Sequence, residues 1–160
     1  MAKREYTIEN FRNYLKFCKD AQSVLDRIIQ YVPPDLGARY LVEAMADENE
    51  KTRSLGIGAA EIACSYGNLK NLDTLLERSL ASGVNRLKKS VLSVYRNMEN
   101  GPVTRIESLL AAIDPEVRIA AASTLGAIKD ARSIPALAHA FKHSGGPVLE
   151  SIRKAFVSIA

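Results

Sequence analysis

The stretch Asp114-Pro115-Glu116-Val117-Arg118-Ile119-Ala120-Ala121-Ala122-Ser123-Thr124-Leu125-Gly126-Ala127-Ile128 decides the reading of this chain. Asp114 can cap a helix with its carboxylate, and Pro115 suits the first helical position, where a missing N–H costs nothing. Val117, Ala120, Ala121, Thr124, Leu125 and Ile128 then recur at helical spacing on one face. Three consecutive alanines let a neighbouring backbone come close. Asp130 punctuates a short turn, and a second helix is expected from about Ser133 to Lys142. Its apolar stripe is Ile134, Leu137, Ala138 and Phe141, and Gly145-Gly146-Pro147 stops it. Neither helix can bury its apolar face alone, whereas stacked pairs can.

Asp114-Pro115, Val117-Arg118, Leu125-Gly126, Ile128, Asp130, Arg132 and Ile134-Pro135 together resemble a HEAT-like repeat, the short form also found in phycobilisome bilin lyases. The resemblance implies an all-α fold, an α-solenoid: a right-handed superhelix of about five antiparallel helix pairs. In such repeats the arginine after the valine pairs with an aspartate of an adjacent turn. Asp114 and Asp130 are thereby nominated as partners of Arg118.

Outward from this unit the chain reads as one α-solenoid domain, 1–160, with no β-strand and about ten helices. An N-terminal capping pair is expected over 1–33, with Thr7 and Asp20 as caps. Its polar outer side is Lys3, Arg4, Glu5, Glu9 and Arg12. Further pairs are expected over 34–66, 67–99, 100–128 and 130–160, the clearest motif lying at 114–143. Within them, Ile29, Val84 and Ile113 fall on stripes expected to face inward, and the helix opened by Gly101-Pro102 is expected to run to Ile113. Gly56-Ile57-Gly58 sits inside a helical pattern and follows no strand, so it reads as close helix packing rather than a phosphate loop. Arg53, Lys88 and Arg118 stand near the starts of alternate helices, and Glu150 takes that place in the last one. Their intervals are 35, 30 and 32 residues, the length of two short helices and two turns.

Composition fits a globular helical protein, with 47% apolar and 25% charged residues. No run approaches the roughly 20 apolar residues of a membrane span. Nothing at the start reads as a signal peptide, so the expected location is cytoplasmic. Residues 1–80 carry 11 basic and 12 acidic side chains, a net −1; residues 81–160 carry 11 and 6, a net +5. The positive charge therefore belongs to the second half. Cys18 and Cys64 lie in apolar helical stripes and read as small buried hydrophobes.

No set of residues is nominated for catalysis, for a cofactor or for a metal. His139 and His143 have the one-turn spacing of two metal ligands, but Ala140-Phe141-Lys142 between them supplies no general base and one cation. They read as a solvated pair. The cations Arg53, Lys88, Lys89, Arg118 and Arg153 are the candidate partner-binding residues. With Arg86 and Arg96 they could line a basic strip on an inner face. The expected function is a non-enzymatic scaffold or adaptor that binds another protein, or itself through an apolar C-terminal helix bearing Phe156, Val157 and Ile159. Two alternatives stand beside it. One is sequence-independent binding of a nucleic-acid backbone, argued against by the scarcity of stacking aromatics. The other is a bilin lyase-like accessory role, implied by the resemblance alone.

Overall fold

The computed structural model describes residues 6–160, so the expectations for Lys3, Arg4 and Glu5 lie outside it. Among the described residues there are ten α-helices, two short 3₁₀ turns and no strand, as the α-solenoid reading requires. The chain divides into two compact units, one up to Arg78 and one from Ser79.

The first unit holds α1 (Ile8–Phe17), α2 (Ala21–Tyr31), α3 (Gly37–Met45), α4 (Glu50–Tyr66) and most of α5 (Leu72–Ser79). Helix starts follow the capping side chains. Thr7 accepts from the Asn10 N–H at 3.2 Å, Asp20 from Ser23 at 2.8 Å and Asn49 from Thr52 at 3.1 Å. Each such cap stabilises its helix by about 1 kcal/mol. Helix α4 packs against α2 and α3, and its glycines make this possible. A Cβ on Gly56 would stand 3.0 Å from the Met45 nitrogen, and one on Gly58 would stand 2.8 Å from the Ala21 Cβ. The glycine run is therefore a packing device. Phe11, Leu25, Ile28, Leu41 and Met45 are fully buried beside it.

The second unit holds α6 (Asn85–Met98), α7 (Val103–Ser108) with a 3₁₀ turn at Leu109–Ala111, and α8 (Pro115–Ile128). A 3₁₀ turn at Ala131–Ser133, α9 (Ile134–Lys142) and α10 (Gly146–Ile159) complete it. Helix α8 is its centre, packed against α6 on one side and α10 on the other, with α7 also against it. Val117, Ala121, Ala122 and Leu125 are wholly buried. A Cβ on Gly126 would meet the Ala155 Cα at 3.0 Å, so α8 and α10 touch almost backbone to backbone. The Thr124 hydroxyl lies 3.1 Å from the Leu92 carbonyl of α6 and 2.8 Å from the Ala120 carbonyl of its own helix, one proton serving two acceptors. Lys129 and Glu99 end α8 and α6 in the left-handed region, with φ of 58° and 53°. That conformation costs an L residue about 1–2 kcal/mol. Gly67 ends α4 in the same way without that cost.

Several expected core positions are at the surface. Ile113 is 98% exposed, because the helix after Pro102 stops at Ser108 and tightens into a 3₁₀ turn, leaving Ile113 in the linker before Asp114. Val84 is exposed because it precedes α6 as its cap residue. Ile29 and Ile134 are exposed too. Phe141 is half out of the core, packed edge-on against Phe156 with ring centres 6.2 Å apart.

Candidate functional site

Arg53 and Arg118 are the fourth residues of α4 and α8. In both, Nη1 turns back over the helix start and donates to two main-chain carbonyls of the turn before it. Arg53 reaches Asp47 at 2.9 Å and Glu48 at 2.7 Å. Arg118 reaches Ala112 at 2.6 Å and Ile113 at 3.1 Å. The acceptors lie six and five residues upstream in each case. A guanidinium thereby ties the start of one helix to the turn that leads into it, satisfying turn carbonyls that no helix ladder pairs. Arg118 does not make the aspartate pairing expected for it. Asp114 is occupied as the cap of α8, accepting from Glu116 N–H at 2.8 Å. Asp130 holds Arg132 in a fork of bonds at 3.0, 3.0 and 2.6 Å. The Arg132 guanidinium and N–H keep the Asp130 carboxyl below the usual carboxylate range.

The other nominated cations are also mostly engaged. Lys89 pairs with Glu116, joining α6 to α8. Arg153 donates to Glu150 within α10 at 3.1 and 3.0 Å, which holds the Glu150 carboxyl below its ordinary value. Glu150 stands where Arg118 would if Pro147 is aligned with Pro115. A carboxylate cannot donate to carbonyls, so α10 has no arginine clasp. Lys88, fourth residue of α6, is half-buried, and its side chain has no hydrogen bond or ion pair among the described residues. At about 100° per residue, Lys89 and Arg96 share a face of α6, while Lys88 lies some 80–100° around from both. The cations of α6 therefore point in more than one direction.

Two surface features of the second unit bear on function. On the surface shared by α8 and α10, Ser123, Ala127, Ser151, Lys154 and Ser158, with Glu99 and Lys129, line a groove of about 270 Å³. Its sides can lie so close because Gly126 and Ala155 let the helices touch. The second is a cleft of about 550 Å³ beside α9, lined by Glu107, Leu110, Arg118, His139, His143 and Val148 among others. The two imidazoles lie with centroids 4.8 Å apart and planes tilted by 54°. Sequence reasoning singled out the pair by spacing but had no means of finding the cleft, whose walls come from four separate segments.

The thiols offer no nucleophile. Cys18 is buried and lies 3.3 Å from the Asp20 carbonyl. Burial and the nearby Asp73 carboxylate push the Cys64 thiol up to about 12, where almost no thiolate exists at neutral pH. Among the described residues, no helix is long and apolar enough to cross a membrane.

Residues 117–143 match the PBS lyase HEAT-like repeat family, a span that takes in α8 from its third residue, the 3₁₀ turn after it and α9. No curated protein matches the chain. A crystal structure of an engineered protein, a target of the Northeast Structural Genomics Consortium, is similar at 17% identity with a TM-score of 0.49. That similarity covers 95% of this chain and 78% of the other.

Proposed function

We propose that the chain is a non-enzymatic scaffold that binds another protein on the surface shared by α8 and α10. The observation that carries this reading is the groove along Ser123, Ala127, Ser151 and Ser158, beside Lys154, where small side chains expose two helices in close contact. Such a surface accepts the ridge of a partner's side chains along its floor of small residues, with Glu99, Lys129 and Lys154 as charged groups of its lining. The arginine clasps support the same reading, because they commit Arg53 and Arg118 to holding turns rather than to a ligand. A cytoplasmic setting agrees with two free thiols. The test is affinity capture with the tagged chain, followed by reconstitution with the purified candidate. A defined partner should bind the wild type and lose at least about tenfold in affinity, or 1.4 kcal/mol, with Ser123→Glu plus Lys154→Glu. Undiminished binding by that variant, with its helicity intact, would remove this face from consideration.

A further inference from the structure

We propose that His139 and His143 form a two-histidine chelate for a divalent transition-metal ion, copper(II) foremost and zinc(II) after it. The two residues close the last turn of α9, one as a helical residue and one as its cap. Their ring centroids are 4.8 Å apart, a separation that one ion bonded to a nitrogen of each ring at about 2.0–2.1 Å spans. Among the described residues neither imidazole has a hydrogen-bond partner, and both residues are exposed, so their lone pairs are reachable. The electrostatics at the end of α9 favour a cation. The last carbonyls of a helix carry a partial negative charge, and Glu107 lines the same cleft. Two cations oppose it. Lys142 is exposed and can swing into solvent, and Arg118 is held back by its clasp on the Ala112 and Ile113 carbonyls.

Among the described residues no three histidine, cysteine, aspartate or glutamate side chains converge to hold a metal. The chelate therefore supplies two ligands, and water or an outside donor supplies the rest. Imidazole suits copper, nickel and zinc, and copper(II) binds a given nitrogen site most tightly among the divalent first-row ions. The second imidazole binds as an intramolecular ligand, so the pair should exceed either histidine alone by far more than twofold.

The experiment titrates the intact chain with Cu²⁺ alone, followed by calorimetry and by electron paramagnetic resonance. The expected result is one saturable site per chain with hyperfine coupling from two imidazole nitrogens. His139→Ala and His143→Ala should each weaken it by at least about tenfold, and the double variant should weaken it further but by less than the sum of the two losses in free energy. Both side chains are exposed, so these variants keep their helicity, which circular dichroism checks. Wild-type affinity in the double variant, or a loss confined to one histidine, would overturn the chelate. Metal binding and capture of a protein partner on the α8–α10 face are read separately, so either can fail without the other.

Discussion

The turn before α4 and the turn before α8 carry different letters and make the same connection. Asp47-Glu48-Asn49 leads into Arg53, and Ala112-Ile113-Asp114-Pro115 leads into Arg118. Asparagine caps one helix and aspartate the other, and only the second has proline at the start. In each the arginine takes the carbonyls six and five residues behind it. The Asp-Pro signature can therefore be lost while the clasp persists. Its acceptors are main-chain atoms that any residue provides, so Glu48 and a 98% exposed Ile113 serve equally well. Where the two regions differ is in how their helices fill space. The eleventh residue is Leu125 in α8 and Ala60 in α4, both fully buried.

That difference gives the largest expected effect. Leu125→Ala should destabilise the chain by about 2–5 kcal/mol, as a buried leucine loses its contacts and leaves a cavity. Ala60→Leu should cost about 1–3 kcal/mol by overpacking, because α4 and α3 are already so close that a Cβ added at Gly56 would stand 3.0 Å from the Met45 nitrogen. Urea unfolding measures both. If Ala60→Leu were neutral, α4 would have slack that its close contacts do not show.

Next come the clasps themselves. Arg53→Ala and Arg118→Ala should each cost about 2 kcal/mol, the range for hydrogen bonds from a charged donor to carbonyls otherwise left short of partners. Similar losses at the two sites are the sharpest sign that they are one device; a loss at Arg118 alone would confine it to the full motif. The converse substitution is Lys88→Arg. Lys88 holds the same fourth position in α6 and is unengaged, and the equivalent acceptors would be the carbonyls of Ser82 and Gly83. A gain of about 1 kcal/mol is expected if the turn there has the same shape.

What the letters reveal follows from which atoms do the work. Helices opened by a capping side chain start where the sequence says. Thr7, Asp20, Asn49 and Asp114 each mark the residue before a helix. Leu36, Val84 and Pro102 make no side-chain cap bond, and α3 begins at Gly37 rather than near Pro34. The core of α8 was legible because its apolar spacing is regular. The helix after Pro102 was not, because its change to a 3₁₀ turn at Leu109 leaves no mark on the spacing before it. The arginine's role was hidden for a related reason, since a carbonyl acceptor has no letter of its own. The pairing of Asp130 with Arg132 was available in the sequence, two residues apart, and the expected link to Arg118 obscured it.

The smallest effect separates two carboxylates, one in each unit, that are both held below the usual range. For Asp20 the cause is the Ser23 N–H, then the Ser23 hydroxyl; for Asp130 it is the Arg132 guanidinium, then the Arg132 N–H. A depressed folded-state pKa means the unfolded chain binds the proton more tightly. Each carboxylate therefore contributes stability above about pH 4, the ordinary aspartate value, and loses it as pH falls through the lowered one. Asp20→Asn and Asp130→Asn should each shallow the acid limb of the stability profile, while the amide oxygen keeps the cap. Salt distinguishes them. The Asp130–Arg132 pair is an exposed ion pair and should weaken in 1 M NaCl, where screening acts over about 3 Å, whereas Asp20 accepts from neutral donors and should be indifferent. An acid limb whose Asp130 component ignores salt would mean that the Arg132 N–H, not its guanidinium charge, holds that carboxylate.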